Sequence, residues 1–309
     1  SDPTVTHFIT VHDLLPFEDT RMIRDNTVRD KVTQKLKRRF HKTLYKNDAR
    51  RANRVFVPIS DYTREQLHHH IGQGTTHDES IPVYTDVSKS YRSGALGEET
   101  NRTERSEFLK RHRLTNETSG EQYSPYFLYV AHFYPHKNHQ LLINAYESYR
   151  EEGGQRSLVL RGDAIVPQCR KLVEARIQQS PYCNDIYLLP RLSADEMELL
   201  YACSAGQIFP SRHEGGGIPV MESLFHARPV ACSRLPVFQE YYGEIPHYIE
   251  SFKVKSVTQA LWWLDKQWNL LNADEEKSAR FSAQVAQVRE QFSKNRMQQK
   301  LRKLYERWA

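Results

Sequence analysis

Short apolar segments alternate with helix-like segments between Tyr126 and Cys232. The first kind predicts strands at 126–131, 157–161, 185–189, 207–210 and 228–232, and the second predicts helices at 140–152, 168–179, 193–202 and 219–227. Strands connected through helices pair in parallel, because a parallel pair needs a long crossover connection. The alternation therefore predicts a doubly wound α/β domain.

Two polar residues are expected to begin helices in this domain. Asn138 directly precedes the helical segment 140–152 and is predicted as its N-cap. Ser193 is followed three residues later by Glu196, which is the pattern of a capping box.

The remaining sequence indicates further units, since 309 residues leave room for about two domains. Strand-like segments at 5–11, 54–59 and 81–84 and a helix from Ser60 to about His70 are predicted, and residues 88–122 are poor in large apolar side chains. The expected division is a partial N-terminal α/β domain at 1–87, a linker or interdomain excursion at 88–124, the doubly wound domain at 125–255, and C-terminal helices at 256–309.

Composition narrows the compartment and the partners. No apolar run approaches the ~20 residues of a membrane-spanning helix. The four cysteines are widely spaced, without a metal-finger pattern, which favours a reducing, cytoplasmic environment. The net charge of +6 suits a phosphate-bearing partner or an anionic membrane surface, and Lys and Arg are concentrated at 29–54.

The most informative motif is the glycine run Gly215–Gly217, which lies between a predicted strand and a predicted helix. Backbone N–H groups at such a turn face the positive end of a helix dipole and can bind a phosphate or diphosphate. Glu214 and Glu222 flank the run, and a turn at the glycines lets both carboxylates face one crevice. This arrangement suits the hydroxyl groups of a nucleotide sugar, although a plain tight turn beside two exposed glutamates is the alternative.

The segment PSRHEGGGIPVME at 210–222, preceded by YACSAGQIFP and followed by HARPVACSRLPVFQE, resembles the E-x7-E motif of family-4 retaining glycosyltransferases. Segments 11–14, 57–65 and 130–138 agree with that family. The resemblance covers about residues 5–86 and 125–250. It implies a GT-B fold of two Rossmann-like doubly wound domains, the first incomplete here, because His12 stands almost at the start of the chain.

The resemblance also implies a role for each matching residue. Glu222 would accept hydrogen bonds from the donor ribose, and Glu214 would face the transferred sugar. Gly215–Gly217 would offer backbone amides to the diphosphate and sugar, and Lys137 would neutralise the diphosphate. His12 would lie near the reacting sugar. An ordinary explanation also exists for Lys137, as a solvated lysine, and for His12, as a hydrogen-bonded residue at a strand end.

The chain departs from the family at the diphosphate. Many relatives have an arginine five residues before the lysine, and His132 stands there in this chain. Either His132 is a weaker phosphate partner, or another cation such as Arg161 or Arg212 replaces the arginine.

The expected function is transfer of a hexose from a nucleotide-diphosphate sugar, either GDP-mannose or a UDP-hexose, to a glycan or lipid-linked acceptor. The resemblance implies no metal and no cofactor. The protein would act in the cytoplasm, at the inner face of the plasma membrane, with peripheral contact to anionic lipid and no nucleic-acid partner. The alternatives are a GT-B sugar-nucleotide epimerase and a non-catalytic nucleotide-binding or nucleic-acid-binding module.

Overall fold

The computed structural model describes residues 7–12, 43, 46–47, 54–71, 80–82, 99–114 and 125–308. Within these ranges, the strands form two parallel sheets. The smaller sheet pairs β1 (His7–Val11) with β2 (Arg54–Pro58). The larger sheet contains β3 (Tyr126–Val130), β4 (Leu158–Arg161), β5 (Ile186–Leu189), β6 (Ser204–Phe209), β7 (Val230–Ser233) and β8 (His247–Ile249).

Helices connect and cover these strands. Those of the described residues are α1 (Asp61–Ile71), α2 (Glu99–Arg111), α3 (His139–Glu151), α4 (Pro167–Gln178), α5 (Ala194–Ala202), α6 (Ile218–Phe225), α7 (Pro236–Tyr242), α8 (Val254–Ala273), α9 (Glu275–Gln291) and α10 (Lys294–Trp308). Among them, no helix is both long enough and apolar enough to cross a membrane.

The larger sheet has the strand order β5-β4-β3-β6-β7-β8, and every neighbouring pair is parallel. This is the doubly wound Rossmann order, in which the chain reverses its direction across the sheet between β3 and β6. Phe127, Leu128 and Tyr129 of the central strand β3 are fully buried, because helices cover both faces of the sheet. Ligands of such sheets bind beyond the carboxyl ends of the strands at this reversal point.

The last helix packs against the smaller sheet. Met297, Leu301 and Leu304 of α10 pack against Val55 and Val57 of β2. The Lys300 Nζ donates a hydrogen bond of 2.8 Å to the carbonyl of Ser80. The last C-terminal helix therefore packs on the smaller sheet.

The structure confirms the doubly wound α/β domain and the capping box of Ser193 and Glu196. It adds α7 and β8, which the sequence did not predict, and starts β6 at Ser204 rather than Gln207. The predicted division into domains stays a prediction.

Three of the sequence predictions concern the first half of the chain. Segment 88–124 contains α2, because Phe108 and Leu109 bury themselves against α5 despite the polar composition around them. The predicted strand at 81–84 is not a strand over the described residues 80–82, although the Ile81 N–H bonds the Pro58 carbonyl. Most of the basic segment 29–54 lies outside the described residues.

Candidate functional site

A cavity of about 460 Å³ opens at the carboxyl ends of β3, β4 and β6, at the reversal point of the larger sheet. Of the ten residues that the sequence singled out, eight line it: His12, His132, Lys137, Arg161, Glu214, Gly215, Gly216 and Gly217. Glu222 and Arg212 are not part of the lining formed by the described residues. The sequence thus predicted most of the polar wall.

The glycine turn requires glycine at its last position. Gly217 is the N-cap residue of α6 and has a φ of 62°, in the left-handed region that side chains disfavour. A Cβ there would lie 2.2 Å from Cε1 of Phe238, so a larger residue has no room. Ile218 and Pro219 at the start of α6 also line the cavity, which brings the N-terminal end of the helix to the wall. This end carries a partial positive charge.

Lys137 and Glu214 form an ion pair on the cavity wall. The Lys137 Nζ lies 2.5 Å from the Glu214 Oε1, and the two side chains are only 14% and 9% exposed. The Nζ also lies 5.7 Å from the ring centroid of Phe209, the last residue of β6. The residues that were predicted to face the diphosphate and the sugar therefore pair with each other.

Asn138 is the N-cap residue of α3, as predicted, but its side chain fixes the loop that carries Lys137 and does not cap the helix. Its φ is 63° and its side chain makes no capping hydrogen bond. Instead, its amide donates to the carbonyls of Pro210 and Ser251 at 3.2 and 2.6 Å. Its oxygen accepts from the Arg212 Nη2 at 2.9 Å. Asn138 thereby ties the β3–α3 loop to the end of β6, and Arg212 supports this link outside the cavity.

The histidines beside Lys137 do not add positive charge. Burial, followed by the charge of Lys137, lowers the pKa of His136 and of His139 to about 3. Both imidazoles are therefore neutral at physiological pH. The charged group that this loop presents to the cavity is the Lys137 ammonium.

A second polar cluster lies at the ends of β3 and β4. The Arg161 Nη1 lies 3.0 Å from the Asp163 Oδ1, and this hydrogen bond is the main cause that lowers the pKa of Asp163. The Asp163 backbone N–H contacts the His132 Nδ1 at 3.3 Å. The Arg161 Nε is buried and has no hydrogen-bond partner among the described residues. A Cβ at Gly162 would lie 1.9 Å from the Ala131 carbonyl oxygen, so the close approach of the two strand ends requires this glycine.

Glu222 lies behind the cavity wall. Its Oε2 accepts a hydrogen bond of 2.7 Å from the Tyr201 hydroxyl at the end of α5. Burial raises the pKa of Glu222, and the Tyr201 hydrogen bond opposes that rise. Met197, one turn before Tyr201 on α5, lines the cavity. The carboxylate is therefore held in place near the part of the cavity next to α5.

The segment around the smaller sheet closes the cavity from the other side. His12 follows β1 and Ile59 follows β2, and both line the cavity. The Tyr241 hydroxyl of α7 donates a hydrogen bond of 2.5 Å to the Ile59 carbonyl. The cavity therefore lies between residues of both sheets.

Sequence reasoning missed Asp163 and Tyr201. Asp163 follows a buried strand by two residues, and this position at the edge near the reversal point was a usable signal. Tyr201 gave no such signal, because an aromatic residue at a helix end reads as core.

The chain is similar to known glycosyltransferases. Residues 113–260 match the family described as Glycosyl transferases group 1. The O-antigen chain mannosyltransferase RfbU of Salmonella typhimurium is 24% identical over 184 residues, which are 59% of this chain and 48% of RfbU. The serotype-specific mannosyltransferase WbdA of Escherichia coli is 28% identical over 142 residues, which are 45% of this chain and 17% of WbdA. The chain thus spans about half or less of these relatives.

Solved structures share the fold. A glycosyltransferase from Rickettsia africae superposes with a TM-score of 0.70 at 14% identity, over 97% of this chain and 70% of its own. Anabaena HepE in complex with UDP and glucose superposes with a TM-score of 0.69 at 15% identity, over 97% of this chain and 71% of HepE. The chain has the α/β fold of GT-B glycosyltransferase structures, with a Rossmann-like domain and parallel sheets.

Proposed function

We propose that the chain is the donor-binding part of a retaining glycosyltransferase, which transfers a hexose from a nucleotide-diphosphate sugar. The observation that carries this proposal is the cavity at the reversal point of the larger sheet, whose wall combines the glycine turn, Lys137 and Glu214. Such a wall offers a cation and helix-terminal amides to a diphosphate, and a carboxylate to a sugar.

Lys137 and the glycine turn would receive the diphosphate. Its negative charge would compete with Glu214 for the Lys137 ammonium, which lies 2.5 Å from that carboxylate. Donor binding would therefore exchange an internal ion pair for an ion pair with the ligand. Lys137 and the N-terminal end of α6 would then stabilise the leaving diphosphate during transfer.

Glu214 and His12 would act at the sugar. Once the diphosphate engages Lys137, the Glu214 carboxylate can turn to the transferred hexose, where positive charge develops at the anomeric carbon. His12 lines the opposite side of the same cavity, at the carboxyl end of β1. The reacting bond would lie between these two side chains.

The nucleoside would lie toward α5. The Glu222 carboxylate, already held by the Tyr201 hydroxyl, would accept hydrogen bonds from the ribose. Arg161 would stand in for the arginine that His132 replaces, because its buried Nε has no hydrogen-bond partner among the described residues and its side chain lines the cavity.

Mannose is the first candidate for the transferred sugar, and a glycan or lipid-linked acceptor is the first candidate for the receiver. The named relatives RfbU and WbdA support this choice. We place the protein in the cytoplasm, with its acceptor at the inner face of the membrane. None of the four cysteines forms a disulfide, which agrees with a reducing compartment. We propose no metal and no cofactor.

A thermal-shift panel of GDP-mannose, UDP-glucose, UDP-N-acetylglucosamine and ADP-glucose tests the proposal. A donor at about a hundredfold its Kd should raise the Tm by about 4 °C. Glu222→Gln should remove most of that gain, and Lys277→Ala, which changes a surface lysine in the first turn of α9, should keep it. No shift with any donor would contradict the proposal. Interconversion of a donor without acceptor would favour the epimerase, and a salt-dependent oligonucleotide gel shift would favour the nucleic-acid module.

A further inference from the structure

Helix α7 of the Rossmann-like domain contacts the segment that follows β2. Both carboxylate oxygens of Glu240 accept backbone N–H groups at the start of α1, from Asp61 at 2.7 Å and from Tyr62 at 2.9 Å. The neighbouring Tyr241 hydroxyl donates to the Ile59 carbonyl at 2.5 Å. Three hydrogen bonds thus join parts of the chain that are 178 to 182 residues apart in sequence.

Glu240 completes the N-terminal capping of α1, to which Ser60 also contributes. The first N–H groups of a helix have no partner within the helix. The Ser60 Oγ accepts from Thr63 at 3.0 Å, which is the usual N-cap contact. Glu240 accepts hydrogen bonds from the backbone N–H groups of Asp61 and Tyr62, which the Ser60 side chain does not cap. A carboxylate also interacts favourably with the positive end of the helix dipole.

Apart from these hydrogen bonds, the surroundings of Glu240 disfavour a charged carboxylate. Burial raises the pKa of Glu240, and the charge of Asp61 raises it further, while the two backbone hydrogen bonds and Arg64 lower it. The contact therefore depends on the two N–H donors remaining in place. If the start of α1 moved away, Glu240 would lose the groups that stabilise its charge.

The turn that Glu240 and Tyr241 hold leads directly to the cavity. Ile59 lines the cavity, and its Cδ1 would lie 3.2 Å from a Cβ placed on Gly216. The Ile59 N–H also donates to the Val11 carbonyl at 3.2 Å, and Val11 pairs with Pro58 across the smaller sheet. The next residue after Val11 is His12. Fixing the start of α1 therefore fixes the backbone next to the two residues, Ile59 and His12, that close the cavity from this side.

We propose that Glu240 is a positioning residue, which holds the β2–α1 turn and the end of β1 over the glycine turn and so sets the place of His12. The proposal rests on the proposed function for its catalytic consequence, but its structural part stands on its own. Glu240 does not belong to the cavity lining formed by the described residues. Its loss should therefore reduce transfer more than donor binding.

The test compares Glu240→Ala and Glu240→Gln with the matched control Glu244→Gln, which changes an exposed glutamate just beyond α7. Amide hydrogen exchange of residues 59–62 should quicken by about tenfold or more in Glu240→Ala. Glu240→Gln keeps one acceptor oxygen and should give an intermediate rate. Glu244→Gln should exchange as the wild type does. Wild-type exchange at 59–62 in Glu240→Ala would overturn the proposal.

Two functional measurements distinguish a positioning role of Glu240 from a general loss of stability. In an active form of the protein, kcat for transfer should fall by about tenfold to a hundredfold, with unchanged Kd for the nucleoside diphosphate. An equal loss of nucleotide affinity, or an unchanged kcat, would overturn the positioning role. If the wild type binds no nucleotide at all, the proposed function fails, while the exchange measurement still decides whether Glu240 holds the turn.

Discussion

The Lys137–Glu214 ion pair makes a prediction that needs no ligand. Lys137→Met keeps the length of the side chain and removes the charge, which leaves the Glu214 carboxylate almost buried without its cation. Glu214→Gln removes the negative charge and keeps an oxygen that Lys137 can still bond. The double variant replaces the ion pair with two uncharged side chains of similar size.

The expected free energies follow from the burial of the pair. Removing one partner of a fully buried pair lowers the free energy of unfolding by ~3–5 kcal/mol. These side chains are 14% and 9% exposed and face a cavity, so we expect about 2 kcal/mol for Lys137→Met. Glu214→Gln should lose about 1 kcal/mol because a hydrogen bond remains. The double variant should also lose only about 1 kcal/mol, since it leaves no unpaired charge.

Urea unfolding of the four proteins gives these values directly, provided that the m-values agree. The double variant should be more stable than Lys137→Met, and the coupling between the two sites should be about 2 kcal/mol. Additive losses would contradict this prediction, because they would mean that the Lys137 and Glu214 side chains do not depend on each other.

Three further predictions concern other parts of the site. Burial raises the pKa of Glu222, so the charged carboxylate lowers the stability of the fold once the pH rises above the ordinary pKa of a glutamate. In a thermal melt, Glu222→Gln should therefore raise the Tm at pH 8 and leave it unchanged at pH 4. Gly217→Ala should lower the free energy of unfolding by about 2–4 kcal/mol in urea, since it combines a left-handed φ with a clash against Phe238. Donor binding by calorimetry should survive excess EDTA, and loss of binding that Mn²⁺ restores would show that a cation holds the diphosphate.

The sequence was sufficient for the doubly wound domain, because its strands and helices are regular and short connections leave little choice of topology. It also predicted the cavity residues that stand in the glycine turn and at strand ends. The glycine turn stood out as a pattern between a strand and a helix, whereas Lys137 and His12 were expected only from the family resemblance.

Contacts between segments that are far apart in the chain could not be predicted from the sequence. Asn138 was expected to cap α3, yet its side chain bonds the carbonyls of Pro210 and Ser251. Glu240 gave no sign that it would bond the start of α1. Helix α2 was missed because only two of its side chains, Phe108 and Leu109, are apolar enough to indicate burial. In each case the partner is far away in sequence, and local pattern does not encode it.

The proposed function requires that this cavity bind a nucleoside diphosphate through Lys137. Isothermal titration calorimetry of GDP, UDP, guanosine and uridine in excess EDTA tests it, with Lys137→Met and the control Lys277→Met alongside the wild type. We expect that at least one diphosphate binds more tightly than its nucleoside. Lys137→Met should remove most of this difference in affinity, and Lys277→Met should keep it. Equal affinities for diphosphate and nucleoside, or the same preference in Lys137→Met, would contradict it.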